Sequence, residues 1–167
     1  MPSVPIVIDF AASSLGRLSY PIEVGISHRH GDGWCSLIRP EPEWSDWDHS
    51  SVQQHKIGRE LLLLKGRPAR LVAEQLNHQL QGKTVYSYAW NYDHFLLARL
   101  CDAANLQAQF QLRDLNEIIS QEQQMLWQTT RMQVMRELQV TRRRASSSAK
   151  VVQMTWLSTY DAAKVVI

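Results

Sequence analysis

The chain has little of what would settle its class from composition alone. It has two cysteines, Cys35 and Cys101, too few for a disulfide scaffold and not in a metal-type spacing. They read as reduced thiols in the core of a cytoplasmic protein. No apolar run approaches the roughly 20 residues that a membrane-spanning helix needs. The first residues lack the basic region and apolar stretch of a secretion signal. There is no internal repeat, and the only biased stretch is the short run from Arg142 to Ser148. A net charge of +2 permits a nucleic-acid partner without arguing for one. What remains is ordinary: 44% apolar and 20% charged residues in 167, which suits one domain, 1–167, with one core.

Periodicity then gives the elements. Val4 to Phe10 is an apolar, β-branched run ending in an acid, as expected of a buried first strand. Pro21 to Ser27 alternates apolar and polar residues, which predicts a half-buried strand. The turn residues from His30 to Gly33 return the chain into a third strand, Gly33 to Ile38. Arg39 to Ser51 is irregular; Trp44 and Trp47 in it read as a packed cluster ahead of a lid over a site. A helix is expected over Ala69 to Gln81, with Leu71, Val72, Leu76 and Leu80 on one face, framed by Pro68 and Gly82. Lys83 to Ser87 is a strand, and Asn91 caps a helix carrying Phe95, Leu96, Leu100 and Ala103. Phe110 to Leu112 is a last strand. Helix follows from Asp114, breaks near Val140 to Ser147 and resumes to about Ala163; Met125, Leu126, Met132, Met135 and Leu138 read as its core-facing stripe. The order β-β-β-α-β-α-β-α-α predicts an α/β fold, a ribonuclease-H-like mixed sheet with helices packed on it.

Three segments carry a more specific signal. The first strand ends Ile8-Asp9-Phe10-Ala11-Ala12, then Ser13, Ser14 and Leu15, and the next strand opens Tyr20-Pro21-Ile22-Glu23. The second segment is Tyr92-Asp93-His94 near the start of a helix. The third is the small-residue stretch from Arg143 to Ala149 leading into the last helix. Together they resemble the DEDDh class of 3′–5′ exonucleases over nearly the whole chain, and are similar to its small single-domain branch acting on RNA 3′ ends. In that class the motifs are Asp-x-Glu on the first strand, an Asp early in a helix after an aromatic residue, and a His followed five residues later by an Asp.

The chemistry explains the pattern. Two divalent cations about 4 Å apart activate water and steady the leaving oxygen. Magnesium or manganese prefers oxygen ligands, so four carboxylates must converge. Acids two apart on a strand share a face. A histidine, with its pKa near working pH, takes the proton from the attacking water. Set against that need, this chain has Asp9 and Asp93 but Ala11, Arg143 and Ser148 where the resemblance implies Glu, His and Asp. Tyr88 stands where relatives of the branch tend to have an acid. Val140 to Val151 contains no His, Asp or Glu, so shifting the alignment restores nothing, and Asp161 lies over three helical turns beyond Ser148. Restoring three acids and removing one arginine would lower the charge by four, from +2 to about −2.

These residues imply a degenerate exonuclease homologue that binds the 3′ end of a single-stranded nucleic acid, RNA first, and cuts poorly or not at all. Magnesium or manganese would bind weakly or be absent, with Asp9 and Asp93 the remaining ligands. Phe10, Ser14, Leu15, His55, Tyr92 and Arg143 are the implied substrate contacts. Arg143 is read equally as a direct phosphate contact and as part of a solvated basic turn with Arg142 and Arg144. His55 either braces the channel or packs its loop. His28 and His30 share a strand face without a third ligand near, and His94 points away from Asp93. Two further readings stay open: an active exoribonuclease carrying inactivating substitutions, and a pseudoenzyme that pairs with a protein, a homodimer included.

Overall fold

The computed structural model describes residues 3–165. Strands β1 (Ile6–Ala12), β2 (Pro21–Ser27) and β3 (Gly33–Leu37) form an antiparallel meander. Helices α1 (Val52–His55), α2 (Arg59–Lys65) and α3 (Ala69–Leu80) lead to β4 (Thr84–Ser87), helix α4 (Trp90–Ala104) and β5 (Gln111–Asp114). Helices α5 (Gln121–Glu137) and α6 (Ala145–Val165) follow, so the helix expected from Asp114 starts instead at Gln121, Asp114 being the end of β5. The sheet order is β3-β2-β1-β4-β5, with β4 parallel to β1 and β5 parallel to β4. The expected mixed sheet is therefore present, and β1, at its centre, carries Asp9.

Alternation along β1 sorts its side chains between two cores. Ile6, Ile8 and Phe10 join Ile22, Val24, Leu76, Leu96 and Leu100 on one face of the sheet. Val7 joins Trp127, Ala149, Val152 and Trp156 on the other, where α6 lies. The register pairs Val7 with Ser27, Asp9 with Gly25 and Ala11 with Glu23, so these six positions share the α6 face. Strand β2 is buried at all seven residues, against the expected half-buried strand. Its polar phase faces α6 instead of water and is hydrogen-bonded there. Ser27 donates to Gln153 Oε1 at 2.6 Å, and Gln153 Nε2 donates to the carbonyls of Pro5 at 2.9 Å and His28 at 2.8 Å. Gly25 lets α6 come this close: a Cβ there would stand 2.5 Å from the backbone of Ala145 and Ser146.

Other expectations are corrected. The segment after the tryptophans holds two short helices, α1 and α2, that no long period announced. Trp44 is buried and stacks on Tyr20 at 5.2 Å, so the loop packs on the main core. Asn91 is not a cap: α4 begins at Trp90 after Ala89, without a side-chain cap, and has Asp93 in its first turn. Cys35 is exposed. Leu71 is half exposed, and Met125 is 86% exposed, so neither belongs to a core stripe. Helix α5 buries Gln123, Trp127 and Val134, a narrow seam against α6 that leaves the methionines outside it. No helix among the described residues is long and apolar enough to cross a membrane.

Candidate functional site

A cavity of about 620 Å³ opens where the end of β1, the start of α4, the middle of α5 and the start of α6 converge. Its floor is a carboxyl pair. Asp93 is buried, with Oδ1 accepting from the Phe10 amide at 3.3 Å and Oδ2 bonded to the Ser87 hydroxyl at 2.5 Å. Asp9 lies beside the Asp93 carboxyl and the Ser148 hydroxyl, and both bear on its proton affinity. Burial pushes Asp9 up to about 6, against the opposing pull of Ser148, Asp93, the Phe10 amide and the Arg131 charge. Burial, and then the neighbouring Asp9 charge, holds Asp93 well above the usual carboxylate range. Two carboxyls buried side by side disfavour ionisation of both at once.

Ala11, Ser148 and Arg143 line the same cavity as this pair. Ser148, on the first turn of α6, lies beside Asp9. Ala11 presents only a methyl and faces Glu23 across the strands. Glu23, 1% exposed, turns toward α6: it accepts from the Ala145 amide at 2.6 Å and from Arg144 Nε at 2.6 Å, closing an ion pair at 2.5 Å. An anion at a helix N-terminus is favourable in itself. Arg144 is therefore committed to the scaffold. Arg143 is exposed; its amide donates to the Gln54 carbonyl at 3.1 Å and its guanidinium reaches Gln54 Oε1 at 3.4 Å, which holds it over α1 at the rim.

The remaining implied contacts are distributed unequally. His55 is buried beside the cavity, and its Nδ1 accepts from the Ile57 amide at 3.0 Å. That bond puts the ring hydrogen on Nε2, which has no partner. Burial holds its pKa below the ordinary value; the Glu23 charge opposes this and the Arg144 charge adds to it. Leu15 and Tyr92 stand exposed at the rim, as a contact to a ligand requires. The Phe10 ring belongs to the core, although its backbone edges the cavity. The Ser14 hydroxyl is engaged by Asp46 at 2.5 Å.

Sequence reading missed Arg131. It lies on α5 with its guanidinium 5.7 Å from the Tyr88 ring, which in turn stacks on Trp127 at 5.1 Å. Its charge reaches Asp9, and its Nε is buried without a partner. The signal was the helical spacing Trp127–Arg131–Met135 on a polar helix, which no motif accompanies. His28 bonds Gln79 at 2.9 Å and His94 stacks on Trp90 at 5.0 Å, both outside the cavity. Among the described residues no group of three or more His, Cys, Asp or Glu stands close enough to hold a metal. The cavity's carboxylate donors are two adjacent groups, Asp9 and Asp93, the second already engaged at both oxygens. That set does not fit a pair of divalent cations.

Comparison with solved structures agrees with the architecture. A product-bound exonuclease I aligns over 95% of this chain and 44% of its own length, with a TM-score of 0.66 and 9% identity. E. coli exonuclease I in complex with a dT13 oligonucleotide aligns over 93% of this chain and 40% of its own, with a TM-score of 0.58 and 9% identity. The fold is exonuclease-like, of the ribonuclease-H-like type. The structure of the yeast NOT1 MIF4G domain co-crystallized with CAF1 is also similar, over 98% of this chain and 80% of that one, with a TM-score of 0.58 and 15% identity. At such identities the likeness is one of fold, and the chain spans less than half the length of these two exonuclease I chains. No family model and no curated protein matches the sequence.

Proposed function

We propose that the chain binds the 3′ end of a single-stranded nucleic acid, RNA first, in the 620 Å³ cavity and does not cut it at an exonuclease's rate. The observation that carries this reading is the buried pair Asp9 and Asp93 with Ala11, Ser148 and Arg143 around it, on an exonuclease-like fold. The fold supports the class of ligand: exonuclease I is solved with dT13. The poverty of carboxylates supports the loss of cutting. A phosphodiester needs a cation-bound hydroxide or an equally strong nucleophile, and this cavity offers two carboxyls sharing a proton and no imidazole in the place of a general base. What the residues can do is hold an end. Leu15 and Tyr92 present apolar surface to a terminal base, and Arg143 at the rim suits a phosphate.

The test compares the chain with a variant carrying Ala11→Glu, Arg143→His and Ser148→Asp, each incubated with manganese and a 5′-labelled oligoribonucleotide. The expected result is no shortening by the chain as it stands and shortening by the variant. Rapid, metal-dependent shortening by the unaltered chain would refute the reading. Binding measured against salt should weaken as salt rises, with a log–log slope that reports the phosphates contacted.

A further inference from the structure

We propose that the cavity selects an end bearing a phosphomonoester, a 3′-phosphate, over a 3′-hydroxyl, and does so without a metal. This rests on the reading above, that a nucleic-acid 3′ end enters here, and adds the chemistry of that end.

Two residues of the cavity wall carry donors that have nothing to bond. His55 is 6% exposed, and its Nε2 is buried without a hydrogen-bond partner. The Ile57 amide occupies Nδ1, so Nε2 is a fixed N–H donor. Arg131 Nε is a second buried donor without a partner. Both residues line the same cavity. An unpartnered buried donor is costly, and two on residues of one cavity point to a ligand that brings acceptors. An aliphatic or purely donating ligand leaves both unpaired.

Charge narrows the class. Arg131, Arg142 and Arg143 line the cavity and make no ion pair among the described residues, while Arg144 is paired with Glu23. Three free arginines face two carboxyls, Asp9 and Asp93. The balance is cationic even with both acids ionised. Asp93 accepts from Ser87 and from the Phe10 amide, so its oxygens are engaged within the protein, and Asp9 lies beside it. A phosphomonoester supplies three terminal oxygens and about −1.5 to −2 of charge near neutral pH, against one charge on a diester. Guanidinium forks match such oxygens two at a time. The Tyr88 ring fixes the Arg131 fork from one side, and Trp127 fixes the ring. A 3′-hydroxyl end offers no comparable charge at its terminus, and would leave the His55 and Arg131 donors facing one neutral oxygen.

Anisotropy with a 5′-labelled short oligouridylate, ending in a 3′-phosphate or a 3′-hydroxyl, tests this in excess EDTA. The 3′-phosphate probe should bind about ten-fold tighter, with the steeper salt dependence. Uridine 3′-monophosphate should compete better than inorganic phosphate, which separates recognition of a nucleotide end from recognition of a free anion. Arg131→Gln should bring the two probes within about two-fold of each other. Should that variant not fold, Arg143→Gln, on an exposed turn, should narrow the same gap. Equal or tighter binding of the 3′-hydroxyl probe overturns the phosphomonoester assignment and leaves 3′-end binding standing. Binding that appears only when magnesium is restored overturns it as well. Inorganic phosphate competing as well as the nucleotide contradicts recognition of an end. Failure of both probes to bind sinks the underlying reading, and this inference with it.

Discussion

Asp9 is the residue on which most depends, because its environment is legible in solution. Its carboxyl is raised from 3.8 to about 6, so between those values the folded chain holds a proton that the unfolded chain has released. The stabilisation is complete below about pH 4 and is lost as pH rises through about 6; the raised Asp93 extends the loss further upward. Asp9→Asn should remove much of this loss, since an amide can donate to Asp93 in place of the shared proton. Melting temperature measured from pH 4 to pH 8 should fall with pH in the unaltered chain and stay flatter in Asp9→Asn, which should be the more stable at pH 8 by several degrees. A flat profile in the unaltered chain would contradict the proton-sharing pair. Two neighbouring arginines give a contrast at the same scale. Arg144→Ala strands the buried Glu23 carboxylate and should cost about 3 kcal/mol in urea unfolding. Arg143→Ala, exposed at the rim, should cost less than about 0.5 kcal/mol.

Among the elements, α6 decides whether the cavity exists. It carries Ser148 to Asp9, and it can do so because Gly25, the register partner of Asp9, has no Cβ. Gly25→Ala places a methyl 2.5 Å from the helix backbone at Ala145 and must displace the first turn. The expected cost is about 1–3 kcal/mol, read as a lower urea midpoint, together with weaker oligonucleotide binding. Unchanged midpoint and binding would show that the helix start adjusts freely. Element type was readable where one period ran long enough: β1 as an apolar β-branched run, α3 and the last helix as helices. It was not readable in α1 and α2, which have four and seven residues and show no full period. The α5 stripe was misread because Met125, Met132 and Met135 repeat as a core face would, whereas the residues α5 buries are Gln123, Trp127 and Val134. The alternation of β2 was read correctly but assigned to water. The second face lies under α6, and only tertiary packing reveals that.

At the scale of the molecule, strand order and motif spacing told the same story. The antiparallel meander and the mixed character of the sheet came from element order, and the motifs pointed to Asp9, Asp93 and Ser148, which line one cavity. What spacing could not supply was the surroundings of those positions: that Glu23 would take Arg144 out of the cavity, that His55 would be left with a buried free donor, and that Arg131 would approach from a helix with no motif. Each depends on the distance between elements remote in sequence, 121 residues for Glu23 and Arg144. On the proposed function, this cavity holds a proton and arginines where an exonuclease holds paired cations. The decisive measurement is a crystal grown in manganese, with anomalous scattering collected at the metal edge. No pair of ions should stand between Asp9 and Asp93; two ordered, well-coordinated ions beside those carboxyls would refute the proposal.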